Sequence, residues 1–268
     1  MGAARRLAPI CISEAGSGHE RLKTDTEPRG RGTFLLILLS IPVLILLLIL
    51  GTWQVQRLHW KEGLIQRVQE RMAETPVPLE TIVSLQAQGQ DIDYRPVTLS
   101  GSFLHQGERH YLATWQGQSG FFVHTPLDLG GGRYIFVNRG FVPYDRKDPA
   151  TREAGQVPGR VDIGGLSRLP ETEKPSFLVP DNDIAKNVFY WRDIPAMARS
   201  AGLREDQVYP FFVDADSKPN PGGLPVGGVT LVNFPNKHLE YAVTWYGLAF
   251  ALMVVLLSWI YRHWRGKP

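Results

Sequence analysis

The sequence predicts a membrane protein in which two transmembrane helices flank an α+β, mainly antiparallel β extramembrane domain, built as a sandwich or a partial barrel. Three observations lead to this fold class. Two apolar segments without charged side chains occupy residues 34–50 and 241–260. The chain between them contains short β-branched and aromatic segments separated by glycine-containing breaks. The 268 residues include a single cysteine, which excludes an intramolecular disulfide.

The first apolar segment extends through Trp53, so residues 34–53 form the first predicted transmembrane helix. About 20 apolar residues in a helix cross a hydrocarbon core of about 30 Å. Trp53 stands at the end of the span, where indole rings prefer the membrane interface. A cleaved signal peptide is the alternative. The long polar stretch before the span, and Leu50-Gly51-Thr52 in place of a small-residue cleavage site, favour a retained helix.

The second predicted span, residues 241–260, has aromatic side chains at both ends, as expected at the two membrane boundaries. Lys and Arg are more frequent beside the chain termini than on the domain side of the spans, which places both termini in the cytoplasm. The predicted layout is a disordered tail at 1–33, a span at 34–53, a periplasmic domain at 54–240, a span at 241–260 and a tail at 261–268. Residues 1–33 contain four acidic side chains, whereas transit peptides are poor in acids, so a bacterial inner membrane is favoured over the mitochondrial inner membrane.

The extramembrane domain is expected to begin with an amphipathic helix that ends at Thr75-Pro76, because a residue before proline leaves helical geometry. Strands are predicted at 97–103, 109–115, 120–129, 133–142, 161–168, 208–215 and 229–234. Hairpin turns at Gln106-Gly107 and Gly130-Gly131-Gly132 would join the first four into an antiparallel meander. A short helix, Ile194 to Ala201, would be capped by Asp193 and stopped by Gly202. Residues 217–228 form a predicted loop.

Composition and motifs exclude several classes of function. The middle of the chain is almost neutral, which removes the argument for nucleic-acid binding. The sequence contains no G-x-S-x-G, no H-E-x-x-H and no P-loop, so a non-enzymatic protein is expected. A membrane-held periplasmic hydrolase remains the alternative from the enzyme class.

The start of the second span carries the most informative group of side chains. His238, Tyr241 and Trp245 fall on one face of a helix, followed there by Leu248 and Leu252. A neutral imidazole at such a boundary is able to ligate haem iron while a porphyrin lies on the apolar wall. The alternative is a histidine that reaches water beside a capping Asn236. Spacing alone leaves both interpretations open.

Several motifs resemble the SURF1 family of cytochrome c oxidase assembly factors. They are LGTWQVQRLHWKEGLI at 50–65, YRPVTLSGSF at 94–103, GFFVHTPLDL at 120–129, FVNRGFVP at 136–143 and FPNKHLEYAVTWYGLAF at 234–250. The motifs occur in the order of the family, with a membrane helix at each end. The similarity does not include the N-terminal tail.

The resemblance implies an assembly factor that binds or delivers haem a for insertion into subunit I of cytochrome c oxidase. It implies His238, inside PNKHLEYAVTW, as the residue that ligates the haem iron. The implied partners are cytochrome c oxidase subunit I, haem A synthase and the lipid bilayer. The alternative is a chaperone that stabilises a subunit I assembly intermediate without touching haem.

Three further residues are candidates for haem contact. Trp53 is expected as an interfacial anchor, and the alternative is that it also packs on haem or on subunit I. His59 would supply a second axial ligand or hydrogen-bond a haem propionate, or is an exposed residue of the amphipathic helix. Arg139 precedes Gly140, where a bend is expected. Its planar donor fork would pair with a haem propionate or a partner carboxylate, or would tie the bend to a neighbouring Asp. The remaining domain histidines are expected on polar strand faces; they are His105, His110 and His124.

Overall fold

A computed structural model describes residues 29–171, 173–230 and 235–265, apart from the side chains of 29–34 and 263. The described chain divides into two compact units. The helical unit consists of the residues up to Val55 together with those from Leu239 onwards. The second unit, Gln56–His238, is called the β-domain here.

Two long helices, α1 (Arg29–Met72) and α4 (His238–Arg265), supply the helical unit. Both are long and apolar enough to cross a membrane, and the apolar side chains of α1 from Leu35 to Ile49 are largely exposed, as lipid contact requires. Within this unit the Thr52 and Tyr246 hydroxyls lie 3.1 Å apart, and Gly51, Ala242 and Ala249 are buried. Small residues of this kind allow two membrane helices to approach closely. The chain is therefore a membrane protein with an extramembrane domain.

The β-domain contains a seven-stranded sheet in the order β1-β2-β6-β7-β5-β4-β3. The strands are β1 Val77–Pro78, β2 Pro96–Phe103, β3 Arg109–Trp115, β4 Gln118–Gly130, β5 Arg133–Pro143, β6 Arg160–Arg168 and β7 Val208–Ala215. The end of β2 also pairs with β4, through Ser102 with Asp128 and Phe103 with Leu127. Strands β2, β6, β7, β5 and β4 thus form a closed ring, so the prediction of a β-rich α+β domain with barrel character is confirmed.

Pairing within the sheet is mostly antiparallel, with parallel pairs between β1 and β2 and between β5 and β7. Six of the predicted strands correspond closely to β2 through β7. In the seventh, 229–234, Val229 and Thr230 are not in a strand, and 231–234 lie outside the described residues. The hairpin at Gly130-Gly131-Gly132 is confirmed, since β4 and β5 pair on either side of it.

The predicted hairpin at Gln106-Gly107 is wrong. These residues belong to a 3-10 turn, and β2 pairs with β6 and β4 instead of β3. Two short helices complete the domain, α2 (Leu79–Ala87) and α3 (Ile194–Ser200). Helix α3 begins as expected, because the Asp193 carboxylate accepts the N–H of Ala196 at 3.0 Å. Helix α2 was not predicted.

Both faces of the central strands are covered. One apolar cluster packs Ile82 of α2 against Ile135 and Val137 of β5. The other packs Met197 of α3 against Phe136, which lies between those two β5 residues in the sequence. Since successive side chains of a strand point to opposite faces, β5 is buried on both. A strand buried in this way has no wet face on which polar side chains would be expected.

A β-bulge interrupts the pairing of β4 with β5. Phe122 pairs with Phe141 and His124 with Asn138, so Arg139 and Gly140 together stand opposite one residue of β4. Gly140 has φ +129, and a Cβ at this position would lie 1.9 Å from the carbonyl oxygen of Val226. Phe141 and Val226 exchange backbone hydrogen bonds of 2.9 and 2.8 Å at this point. The bulge therefore requires glycine.

Replacing Gly140 by alanine is expected to lower the free energy of unfolding by about 3 kcal/mol, because the new Cβ meets backbone that is itself hydrogen-bonded. The measurement is urea unfolding of the full chain in detergent, followed by tryptophan fluorescence. Gly89→Ala is the matched control, since Gly89 also has positive φ but nothing lies within 4 Å of its Cβ position. The control should lose about 1 kcal/mol. Equal losses in the two variants would contradict the packing argument.

Candidate functional site

The segment before α4 is fixed by polar contacts inside the β-domain. The Lys61 ammonium on α1 donates to the Pro235 carbonyl oxygen at 2.5 Å. The Asn236 side-chain oxygen accepts the backbone N–H of His238 at 3.5 Å, as a residue that caps a helix does. His238 is half-buried and is the first residue of α4. The chain therefore places one imidazole at the beginning of the second membrane helix.

Tyr241 and Trp245 follow His238 on the same helix at the third and seventh positions, which repeat one helical face. Tyr241 is exposed and Trp245 is half-buried. The helix required by the sequence prediction is thus present from His238 onwards. A single imidazole suits haem, because the porphyrin itself supplies four nitrogen ligands and leaves only axial positions to the protein. A bare metal ion needs more ligands, and the described residues contain no group of three or more His, Cys, Asp or Glu side chains able to hold one.

The other two candidates on helices lie on α1. Trp53 is 53% exposed and belongs to the helical unit. His59 is exposed and belongs to the β-domain. The next residue, Trp60, has its ring centre 3.9 Å from the Arg57 guanidinium carbon. Exposure leaves both side chains available to a ligand. Their roles toward haem stay predictions.

Arg139 lies inside the β-domain, at the bulge of β5. The side chain is 2% exposed, and its guanidinium stands 4.6 Å from the ring centre of Phe103. One amino group, Nη2, donates to the carbonyl of Gly155 and to the side-chain oxygen of Asn220 at 3.4 Å. Burial lowers the pKa of Arg139 to about 10. The expected tie to a neighbouring Asp is wrong, because the partners of Arg139 are the Gly155 carbonyl and the Asn220 side-chain amide. Arg139 and these two partners all lie outside helices α1 and α4.

The β-domain contains a buried ionic cluster that sequence reasoning missed. Glu108, His110 and Arg152 are each at most 5% exposed. Arg152 donates to both carboxylate oxygens of Glu108, and His110 Nε2 lies 2.8 Å from one of them. Arg152 also donates to the backbone carbonyls of Arg146 and Lys147. The cluster ties the 3-10 segment Pro149–Gly155 to the start of β3.

The charge of Glu108 is stabilised in the folded protein. Burial by itself would raise the pKa of this carboxyl, but the hydrogen bonds from His110 and Arg152 outweigh burial and lower the pKa to about 2. Glu108 is therefore ionised over the whole physiological range and compensates the charge of Arg152. The signal in the sequence is the run Glu108-Arg109-His110, which breaks the alternation expected of a half-buried strand.

The prediction that His110 and His124 lie on a polar strand face is wrong. They are 3% and 1% exposed. His110 is buried by the Glu108–Arg152 cluster and the Phe121 ring, and His124 lies in the covered part of β4. Burial lowers the pKa of His124 to about 3, so its ring is neutral. That ring packs edge-on against Phe212 at 5.1 Å. His105 is half-buried, with Nε2 2.9 Å from the Val157 carbonyl oxygen.

Fold and site together define a membrane-anchored protein whose small closed β-barrel lies in the chain between two apolar helices. The SURF1 family profile matches residues 41–250, a range that contains every candidate residue named above. The chain belongs to the SURF1 family.

Relatives in several animals and in a unicellular organism are similar over most of the chain. Surfeit locus protein 1 of Homo sapiens is 39% identical over 238 residues, which cover 82% of this chain and 74% of the relative. Surfeit locus protein 1 of Xenopus tropicalis is 41% identical over 221 residues, which cover 75% of this chain and 68% of the relative. A SURF1-like protein of Monosiga brevicollis is 34% identical over 230 residues, covering 81% and 83%. The similarity thus extends through the β-domain as well as the helices.

Glu108→Gln is expected to lower the free energy of unfolding at neutral pH by about 3 kcal/mol, since Arg152 then stays buried without a counter-ion. The carboxyl pKa falls from 4.5 to about 2 on folding, so its contribution is complete above pH 4.5 and disappears as the pH falls toward 2. Urea unfolding over this pH range should give a steeper loss of stability for the unsubstituted protein than for Glu108→Gln.

The control for this experiment is Glu205→Gln, which removes an exposed carboxylate paired with Arg199. An exposed ion pair contributes about 0–1 kcal/mol, so this variant should behave almost like the unsubstituted protein. Parallel pH profiles for Glu108→Gln and the unsubstituted protein would contradict the assigned role of Glu108.

Proposed function

We propose that this protein takes part in cytochrome c oxidase assembly by holding haem a for insertion into subunit I. Membership of the SURF1 family supports the role in oxidase assembly. The haem part of the proposal depends on one observation, that α4 begins at a half-buried His238 and continues with Tyr241 and Trp245 at helical spacing. In the proposal haem a is cargo, and its iron and porphyrin serve the oxidase after transfer.

The residues of the chain have distinct tasks in this proposal. His238 offers an imidazole nitrogen to the iron, and its position as the first residue of α4 places it at the boundary of the predicted membrane span. Tyr241 and Trp245 offer aromatic surface to the porphyrin face. Trp53 and His59 are proposed as further contacts, with His59 as a second axial ligand. A half-buried histidine on a helix end suits a carrier, because cargo must leave as well as bind.

The proposed partners are haem A synthase as the source of the cargo and subunit I of the oxidase as its acceptor. The proposed location is a cell inner membrane, with both termini in the cytoplasm and the β-domain in the periplasm. A non-enzymatic mechanism is proposed, in which binding and release replace any covalent step.

A second candidate function is a haem-independent chaperone that stabilises an assembly intermediate of subunit I. The observation that favours it is the pair Phe177 and Leu178, which are 89% and 77% exposed in the segment between β6 and α3. Neighbouring apolar side chains exposed to this degree are typical of surfaces that contact another protein. This function needs no role for His238.

The haem proposal predicts that the protein purified from a host that makes haem A is coloured and that His238→Ala loses about nine-tenths of the bound pigment, because a single axial ligand is removed. Visible absorption spectra of equal protein amounts are the measurement. His59→Ala is the comparison variant, and a shifted spectrum with retained pigment would identify His59 as a second ligand. Colourless unsubstituted protein, with normal oxidase assembly in cells carrying His238→Ala, would favour the chaperone instead.

The proposed orientation is testable with Cys11, the single cysteine of the sequence. A membrane-impermeant maleimide should label Cys11 in inverted membrane vesicles and leave it unlabelled in intact spheroplasts, because the flanking Lys and Arg hold the termini in the cytoplasm. The double variant Cys11→Ser, Phe177→Cys moves the thiol to the β-domain and should give the opposite pattern. Labelling of Cys11 in spheroplasts would reverse the orientation.

A further inference from the structure

A cavity of about 270 Å³ opens in the β-domain beside strands β6 and β7 and the loop that follows β7. Phe103, Val157 and Val161 supply apolar wall, and Arg139 is part of the lining. The volume lies slightly below the range of drug-sized ligand pockets, which are about 300–1,000 Å³. The cavity therefore fits a group the size of one aromatic ring or one terminal residue of a peptide.

Arg139 has no anionic partner among the residues that the structure describes. Its Nη2 bonds go to neutral oxygens of Gly155 and Asn220, and its Nη1 is buried without a hydrogen-bond partner in the described chain. Glu108, the acid of the neighbouring cluster, is bonded to Arg152 and His110. The charge of Glu108 acts on Arg139 only from beyond ion-pair distance. A guanidinium that is 2% exposed and has no carboxylate in direct contact is unusual, because proteins pair the charges they bury.

A second buried arginine shows the contrast. Arg109 also has neutral partners, the Ser200 hydroxyl at 2.8 Å and the Glu108 carbonyl at 2.7 Å. Arg109 does not line the cavity, and none of its nitrogens is buried without a partner. Of these two buried arginines, only Arg139 combines a buried donor without a partner in the described chain with a place in the lining of the cavity.

The charged residues at the cavity restrict where an anion fits. Lys218 adds a second cation to the lining, while Asp162 and Asp216 add two carboxylates. Both carboxylates are engaged: Asp162 accepts the Ser100 hydroxyl, and Asp216 accepts the backbone N–H of Lys218 at 3.0 Å. They repel an anion from their part of the lining, so a negative group is stable only beside the cations, Arg139 and Lys218.

We propose that this cavity binds a carboxylate attached to an apolar group, with Arg139 as its counter-ion and the Phe103 ring and valine side chains around the apolar part. The carboxylate belongs either to a small organic acid or to the C-terminus of a peptide chain. A guanidinium and a carboxylate form the charge-assisted pair that suits such a site. The proposal does not depend on the haem site, because none of His238, Tyr241 and Trp245 lines this cavity.

The test is isothermal titration of the full chain in lipid nanodiscs with phenylacetate and with phenylacetamide, its uncharged counterpart. Phenylacetate should bind saturably and at least about tenfold more tightly than the amide, because only the acid pairs with Arg139. N-acetyl-alanyl-phenylalanine and its C-terminal amide form the second pair of probes. Tighter binding of the peptide acid than of phenylacetate assigns the site to a chain terminus, and the reverse order assigns it to a small acid. Equal binding of acids and amides, or no binding of either acid at about 10 mM, overturns the proposal.

Variants separate the site from the fold. Arg139→Met should weaken acid binding at least about tenfold. Because this change also removes hydrogen bonds to Gly155 and Asn220, Val157→Phe is the second variant: it fills the cavity and leaves Arg139 in place. Val157→Phe should abolish acid binding while pigment binding at His238 stays unchanged.

The control, Arg133→Met, removes an exposed arginine that does not line the cavity and should bind the acid normally. Unchanged binding in folded Val157→Phe would overturn the proposed location.

Discussion

Closure of the sheet through β2 is the interaction on which the β-domain depends. Most of β2 pairs with β6, and its last two residues cross to β4, so one strand completes the ring. Gly101 makes this approach possible, because a Cβ there would lie 2.5 Å from the Asp128 carbonyl oxygen. The closing residue Phe103 also lies beneath the Arg139 guanidinium. The ring that holds the domain together therefore also builds the wall of its cavity.

Most strands were predictable because each has β-branched and aromatic residues bounded by glycine-containing breaks. The order of the strands in the sheet was not predictable from the sequence. Strand β2 pairs with β6 across more than fifty residues, and only packing in the closed ring selects that partner. The turn at Gln106-Gly107 carried a hairpin signal that this long-range pairing overrode. Helix α2 is nine residues long and contributes Leu79 and Ile82 to the core, a pattern too short to separate from a strand by periodicity.

The candidate site was also predictable only in part. His238, Tyr241 and Trp245 were accessible to sequence reasoning because they share one helix, and family resemblance supplied a chemistry for them. The roles of Glu108, His110 and Arg152 depend on contacts between β3 and a distant 3-10 segment, so no local pattern contains them. The alternation rule assigned His110 and His124 to a wet face. His124 instead lies in a part of β4 that is buried on both faces, and His110 is buried by its contact with Glu108 although β3 is exposed farther along. Arg139 was recognised as a bend residue, but its unpaired state is a property of the closed domain.

The central claim is that His238 holds the iron of haem a at the start of the second membrane helix. Resonance Raman spectroscopy of the ferrous protein, purified with natural and with ¹⁵N-labelled histidine, tests it most directly. If His238 ligates the iron, the five-coordinate ferrous haem should give an iron–nitrogen stretching band that shifts with the label and is absent from His238→Ala. A five-coordinate ferrous haem without a label-sensitive band, or an unchanged band in His238→Ala, would rule out ligation by His238.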